Sequence, residues 1–327
     1  MLSLLILLQA AAVVPQRSAP LTRFLEQSIG LDTAQLAALE RGEPVAKVLE
    51  ARDRRDVALF GIVTVAMSRE AFARAARDLP AALRASNRTQ LGIFGTPATE
   101  ADATAFTVTS KDAAEMKSCK PGDCVVKLPA VDMQRIREQT NWSAPDLQAQ
   151  LSAYARRRLA EYVNNYRARG DSAMVVYDDR GNLHVRSSEA FAAQIAESPY
   201  VYANVPSLVR YLSSYPNDSL PGATEIVYWS EDVLPRLRPI LSVTHHIVYA
   251  PVELPVTVVA AKQIYANHYF ETAVDLTCAV DRGAGIYLLV LRRYRFDNLP
   301  GGILNIRGRA IGALRDQLVL DLKRQQR

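Results

Sequence analysis

The chain has 327 residues, of which 49% are hydrophobic and 22% are charged, and its formal net charge is +5. This composition excludes a disordered or fibrous chain and supplies enough apolar side chains for a sizeable core. The arginines are spread in short groups and are not accompanied by a recognition motif. We therefore expect no nucleic-acid partner, while contact with an anionic membrane surface stays open.

The N-terminal residues predict export. Residues 2–14 are apolar apart from Ser3 and Gln9, and this run is shorter than the roughly 20 residues that a membrane span needs. Its length is typical of the apolar region of a signal peptide, although no Lys or Arg precedes it. We predict a signal peptide over residues 1–18 and a soluble periplasmic or extracellular protein. A buried or interfacial N-terminal helix is the alternative.

Residues 19–55 are predicted to form a helical N-terminal segment that ends in a short strand. A strong strand follows at residues 56–66, and Ser68 then caps a helix over residues 69–83, where Glu70 lies in the first turn. A strand that leads directly into a helix is the first recognisable unit of the main domain, which we predict over residues 56–327.

Two cysteines flank a turn in the next segment. Cys119 and Cys124 enclose Pro121 and Gly122, which occupy the central positions of a type II turn. Such a turn brings its flanks together, so a structural disulfide is expected in an oxidising compartment. A redox role or metal binding by the pair is less consistent with the spacing, because redox motifs have two intervening residues. The third cysteine, Cys278, is predicted to be a buried free thiol.

A mainly helical insertion is predicted at about residues 131–221. Its longest helix ends near Gly170 and has an apolar and aromatic stripe formed by Leu147, Leu151, Tyr154, Leu159, Tyr162 and Tyr166. Prolines and glycines at residues 215–222 separate this insertion from the strands that follow.

The C-terminal third alternates between strands and ends in a helix. Residues 224–230 and 240–249 are predicted strands, and residues 257–280 are predicted to form one long strand. Its even positions are mostly apolar and its odd positions mostly polar, as in an antiparallel sheet packed on one side. A glycine-containing loop at 281–285 leads into a partner strand. Residues 303–325 then form a helix with an apolar stripe that includes Leu314, Leu318 and Leu322.

This order of elements resembles the helix-grip fold of START-like lipid-binding domains and their polyketide-cyclase relatives. The resemblance rests on the strand and helix at 56–83, the meander at 224–297 and the C-terminal helix, and covers about three fifths of the chain. It implies an α+β fold in which a curved antiparallel sheet packs on the last helix and encloses an apolar cavity. The chain also resembles secreted bacterial families, which adds no function.

The hypothesis that follows is a binding protein for a hydrophobic small molecule or lipid. The cavity is predicted between the sheet and the C-terminal helix, and its predicted lining is Lys262, Ile264, His268, Phe270, Tyr287 and Leu314. No cofactor or metal is predicted. Because G-x-S-x-G, H-E-x-x-H, G-x-G-x-x-G and P-loop motifs are absent from the sequence, an enzyme is the less favoured class.

Two alternatives stay open. The first is an enzyme that acts on an apolar substrate, with His268 and Lys262 as an acid–base pair. The simpler interpretation is that His268 is a hydrogen-bonded core histidine. The second is a cell-envelope interaction protein that uses Arg156, Arg157 and Arg158 of the insertion as its contact surface. His245 and His246 are adjacent on a strand, so their side chains are expected on opposite faces of the sheet.

Overall fold

The computed structural model describes residues 18–78, 88–181, 184–233, 237–251, 253–297 and 306–326. The apolar run at residues 2–14, on which the export prediction rests, lies outside these ranges. Within them, no helix combines the length and the apolar character needed to cross a bilayer.

The strands are β1 Val45–Leu49, β2 Asp56–Val65, β3 Arg88–Ile93, β4 Val176–Tyr177, β5 Val185–Arg186, β6 Ala223–Asp232, β7 Ile240–Tyr249, β8 Val256–Ala266, β9 Phe270–Arg282 and β10 Gly285–Phe296. The α-helices are α1 Ala19–Arg23, which continues as a π-helical turn, α2 Thr33–Glu40, α3 Arg69–Arg77, α4 Ser110–Met116, α5 Ala130–Gln139, α6 Leu147–Arg169, α7 Ser187–Ala196, α8 Pro199–Asn204, α9 Pro206–Ser214 and α10 Ile306–Gln325.

One antiparallel sheet organises the molecule. Its strand order is β1-β2-β10-β9-β8-β7-β6-β3, and β4 and β5 form a separate small hairpin. The predicted α+β class, with a large antiparallel sheet packed on a long C-terminal helix, is confirmed. The helices α4 to α9 all lie between β3 and β6 in the chain, so the insertion predicted at about residues 131–221 is part of a longer stretch that begins before α4.

The two faces of the sheet can be followed along β10. Leu288 packs with Leu318 of α10 in one apolar cluster. Leu289 packs with the N-terminal helices in a second cluster, and Leu291 belongs to the large cluster that the insertion builds. Because successive side chains of a strand point to opposite faces, α10 covers one face of the sheet, while the insertion and the N-terminal helices cover the other.

Helix α3 lies on the same face as α10. His246 of β7 has its Nε2 atom 3.3 Å from the carbonyl oxygen of Ala76 in α3, and Arg292 of β10 donates to Asp321 of α10 at 2.8 Å. His246 and Arg292 belong to one cross-strand row that runs through Ala261 and Asp275. His245 faces the insertion instead, where it contacts Tyr166, so the prediction that the two histidines face opposite ways is confirmed.

The C-terminal helix is in direct contact with the sheet. Gly61 of β2 lies beneath Leu318 and Leu322, and a Cβ atom at Gly61 would be only 2.8 Å from the Leu322 Cδ1 atom and 3.1 Å from Leu318. Both leucines are buried. At this contact the sheet and α10 leave no space for a ligand, which corrects the predicted position of the cavity.

The long run at residues 257–280 is two strands and not one, because Asn267, His268 and Tyr269 form a turn between β8 and β9. The Asn267 side chain accepts from the Leu241 N–H at 2.8 Å, and Tyr269 has a φ of 63° in the left-handed region. The alternation itself was predicted correctly, since the even-numbered Ala260 and Lys262 lie opposite the even-numbered Leu276 and Val274.

The cysteine turn is formed as predicted. Cys119 and Cys124 are joined by a disulfide, the Asp123 N–H donates to the Lys120 carbonyl at 2.9 Å, and Gly122 has a φ of +82°. Cys278 is a free thiol that is partly buried, and burial raises its pKa to about 12. A thiol in this state is a packing group and a poor nucleophile at neutral pH.

Candidate functional site

A pocket of about 360 Å³ lies between the insertion and the sheet. Its walls come from α4, α5 and α6, from the segment that follows α6, and from the ends of β6, β7 and β8. The apolar part of the lining consists mainly of Phe106, Val108, Met116, Val126, Leu128, Ile136, Leu151, Ala155, Leu159, Met174, Val175 and Leu241. The pocket is therefore on the sheet face opposite to α10.

Helix α6 supplies the longest wall of this pocket. Leu151, Ala155, Leu159 and Tyr162 all line it, and they recur at the three- and four-residue spacings that keep side chains on one helix face. Val131 of α5 also lines the pocket and is 48% exposed. The pocket is thus reached from solvent beside α5.

Three tyrosines line the pocket, and each hydroxyl is already hydrogen-bonded to the protein. Tyr162 donates to the Ile264 carbonyl at 2.6 Å, Tyr265 donates to the Lys127 carbonyl at 3.1 Å, and Tyr154 donates to Asp132 at 3.1 Å. Burial raises the pKa of all three phenols above the ordinary value, so they stay protonated at neutral pH. They present ring surface to the pocket and not a free hydroxyl.

Two carboxylates of the lining are held in ion pairs. Asp132 is 2.9 Å from the guanidinium of Arg158, and Asp112 accepts from Arg238 at 2.9 Å. Burial alone would raise the pKa of Asp112, but the hydrogen bond from His268 and that from Arg238 hold it below its usual range. Both acids are thus paired with arginines within the protein, which keeps the interior of the pocket apolar.

His268 is part of the support of this pocket and does not line it. Its Nε2 atom is 3.3 Å from Asp112, and its Nδ1 atom is 3.1 Å from the carbonyl oxygen of Val125. It lies in the β8–β9 turn, whereas the sequence predicted a position on the apolar face of a strand. The sequence interpretation as a hydrogen-bonded core histidine describes this geometry well.

Lys262 lies elsewhere under the insertion and is fully buried. It donates to Asp171 and, at 2.9 Å, to the Leu212 carbonyl, and its Nζ atom is 3.9 Å from the centre of the Phe191 ring. Burial lowers its pKa, against the opposing effect of Asp171. Lys262 and His268 have different partners, so the structure does not bring them together as an acid–base pair.

The other predicted lining residues are also distributed over separate places. Ile264 is buried in the cluster of the insertion, and Tyr287 packs among the N-terminal helices. The ring of Phe270 packs against that of Phe296 in a tilted arrangement, with ring centres 4.8 Å apart, and Leu314 packs with the cluster on the α10 face. None of the six predicted residues lines the pocket described above.

The arginine triplet of α6 is largely engaged within the molecule. Arg156 donates to the Phe106 carbonyl at 2.8 Å, Arg158 pairs with Asp132, and the Arg157 guanidinium lies 5.9 Å from the centre of the Tyr154 ring. Two of the three cations thus stabilise the walls of the pocket, which leaves Arg157 as the exposed member of the predicted contact surface.

Sequence reasoning missed the lining residues although one signal for them was present. The apolar and aromatic stripe of α6 was recognised, but its partner surface was not. That surface combines the loop residues Phe106 and Val108 with Leu241 of β7. Residues 106–109 form an irregular segment, which turns two apolar side chains into the pocket.

Comparison with known proteins gives little further guidance. No protein-family model matches the chain, and neither does any curated protein. A crystal structure of Ara h 8.0201 aligns with 41% of this chain and 89% of its own, at 10% identity and a TM-score of 0.16. At that TM-score the similarity carries no argument about fold, ligand or activity.

Proposed function

We propose that this protein binds a hydrophobic small molecule, such as a lipid or a lipid fragment, in the pocket between the insertion and the sheet. The observation that carries the proposal is an apolar pocket of about 360 Å³ whose tyrosines and aspartates are already paired within the protein. Ligand sites are typically concave, mostly apolar and about 300 to 1,000 Å³ in volume.

The pairing of the polar groups supports an apolar ligand. A polar ligand would have to replace existing hydrogen bonds such as that of Tyr162, and leaving a buried partner unpaired costs about 1 to 3 kcal/mol for each group. An apolar ligand has no such penalty, and each buried methylene contributes about 0.8 kcal/mol. The walls therefore favour an alkyl chain or another apolar body over a sugar or a nucleotide.

Export belongs to the same proposal. The disulfide between Cys119 and Cys124 is typical of an oxidising compartment, which agrees with the signal peptide predicted over residues 1–18. A soluble periplasmic or extracellular carrier with a helix-grip-like sheet is the role that we infer from these features together.

The proposal can be tested by filling the pocket with a larger side chain. Ala155 lines it, whereas Ala153 is exposed on the same helix. We expect Ala155→Trp to weaken binding of the fluorescent apolar probe N-phenyl-1-naphthylamine by at least about fivefold, because the indole takes up volume that the probe needs and overfilling costs roughly 1 to 3 kcal/mol. Ala153→Trp should leave the affinity unchanged. Probe affinity is measured by fluorescence titration.

Circular dichroism and urea unfolding of each variant establish that the fold is retained. Ala155→Leu provides a smaller filling group if the tryptophan variant unfolds. Parental protein that binds no probe, or folded Ala155 variants that bind as the parent does, would overturn the proposal. Organic extraction of purified protein followed by mass spectrometry would identify any ligand that is retained.

A further inference from the structure

Arg169 differs from the other charged residues of the pocket. It is the last residue of α6, it is exposed, and it lines the pocket. Asp112 and Asp132 are paired with Arg238 and Arg158, and Glu231 also interacts within the molecule. For the Arg169 guanidinium, by contrast, the described residues provide no hydrogen bond or ion pair.

The neighbouring basic residue makes the contrast sharper. Arg167 also lies in the last turn of α6, and its guanidinium donates to the carbonyls of Gly95 and, at 3.0 Å, Phe94. Arg167 thus fastens α6 to the loop after β3. A basic residue in the last turn of a helix interacts favourably with the helix dipole. Arg167 already supplies that charge, so the dipole does not explain why Arg169 lines the pocket.

A second polar side chain is placed beside Arg169. Asn165 precedes it by four residues, lines the pocket and is exposed. Residues four apart on a helix are neighbours on one face. A guanidinium can hold a carboxylate or phosphate with two parallel hydrogen bonds, and the adjacent amide can donate a further one. An apolar interior with these two groups on one rim is the arrangement that an amphiphile requires.

We infer that the pocket takes a single-chain amphiphile with an anionic head group. The alkyl chain lies among the apolar residues of α4, α5 and α6, and the head is held by Arg169 with Asn165. This inference rests on the proposed function, because it names the class of hydrophobic ligand for the same pocket. The head group is a carboxylate or a phosphate, and the experiment below distinguishes the two.

The test measures displacement of N-phenyl-1-naphthylamine from the full chain by four ligands of equal chain length below their micellar concentrations. These are dodecanoate, dodecyl phosphate, dodecan-1-ol and dodecyltrimethylammonium. We expect at least one anion to bind about tenfold more tightly than the alcohol, as for a hydrogen bond to a charged group, and the cation to bind most weakly. The stronger anion identifies the head group.

Arg169→Gln should remove this selectivity, so that the anions and dodecan-1-ol bind within about twofold of each other. Arg77→Gln is the matched control, because Arg77 is an exposed arginine in the last turn of α3, on the other side of the sheet. It should bind all four ligands as the parent does, and this comparison corrects for the change in net charge.

The failures are distinguishable. If the parent binds dodecan-1-ol as tightly as the anions, or if Arg169→Gln weakens all four ligands equally, the anionic head group is excluded while the apolar pocket stands. If none of the four alkyl compounds displaces the probe and none is bound directly in calorimetry, the proposed function itself fails.

Discussion

Two aspartates at one end of the sheet show how burial decides the behaviour of a side chain. Arg295 donates to Asp53 at 2.6 Å and to Asp56 at 3.1 Å. Hydrogen bonds from Arg55, with Arg295 nearby, lower the pKa of Asp53 to about 2. Burial raises the pKa of Asp56 to about 6 in spite of Arg295. The side chain of Asp53 is 29% exposed and that of Asp56 only 1%.

The two shifts predict opposite pH dependences. The raised pKa of Asp56 means that its contribution to stability is fully present below about pH 4 and is lost as the pH rises through about 6. We therefore expect Asp56→Asn to gain stability relative to the parent between pH 4 and pH 7, by up to about 3 kcal/mol. Urea unfolding at several pH values measures this difference.

Asp53→Asn is the matched variant, with the opposite sign. The lowered pKa of Asp53 means that its contribution is present above about pH 4 and is lost as the pH falls towards 2. Asp53→Asn should therefore destabilise the protein at pH 6 and have a smaller effect near pH 2. A stability difference that does not change with pH in either variant would contradict this account of the two carboxyl groups.

At the level of elements, the contact between α10 and β2 depends on the absence of one side chain. We expect Gly61→Ala to destabilise the protein by roughly 1 to 3 kcal/mol, because its Cβ atom would be 2.8 Å from a Leu322 methyl. Gly312→Ala, within α10, should stabilise it by about 0.5 to 1 kcal/mol, since a Cβ atom there meets no described atom within 4 Å. Thermal or urea unfolding of both variants provides the measurement.

Equal effects of the two substitutions would show that helix propensity or strand propensity, and not the packing of α10 on Gly61, determines the outcome. Retention of the parental stability by Gly61→Ala would mean that α10 can shift on the sheet at no cost. Either result would also be consistent with the ligand cavity that the sequence predicted between α10 and the sheet.

The local sequence pattern predicted the helices and strands better than it predicted which residues they contact. The apolar stripe of α10 predicted that Leu318 and Leu322 would be buried, and both are. It could not predict that they lie on Gly61, which is far away in the chain. The turn at Tyr269 was missed for a related reason: it has no glycine or proline, and it is held by contacts such as that of Asn267 with Leu241 in another strand.

At the scale of the whole molecule, buried polar contacts join the insertion to the sheet. Lys262 of β8 donates to Asp171 after α6 and to the Leu212 carbonyl of α9. His245 of β7 lies 3.0 Å from the Tyr166 hydroxyl of α6. The strands and helices that carry these groups also share one continuous apolar cluster, so we expect the insertion and the sheet to unfold together.

The Lys262 contact allows a direct test of this coupling. Asp171→Ala should cost about 3 to 5 kcal/mol, because it leaves a buried ammonium without its counter-ion. Lys262→Met should cost much less, and the double variant should recover most of the loss of Asp171→Ala. The free energies of unfolding come from urea titration. An additive double variant would show that the two residues do not depend on each other.

The two tryptophans allow the cooperativity to be followed in the same experiment. Trp142 lies between α5 and α6, and Trp229 lies in β6, so the variants Trp142→Phe and Trp229→Phe each leave one probe. Coincident transitions of the two probes are expected for a two-state domain. An earlier transition at Trp142 would mean that the insertion is a separate unit.

The pocket and the sheet are specified by different parts of the chain. Apart from Glu231, Pro239, Leu241, Tyr265 and Asn267, every lining residue falls between positions 106 and 176, whereas the strands of the eight-stranded sheet lie before and after that stretch. Substitutions of lining residues within 106–176 can therefore alter the volume of the cavity while the pairing of the main-sheet strands is conserved. For the binding function that we propose, such a division means that specificity can change on an unchanged sheet, which makes this segment the natural target for redesign.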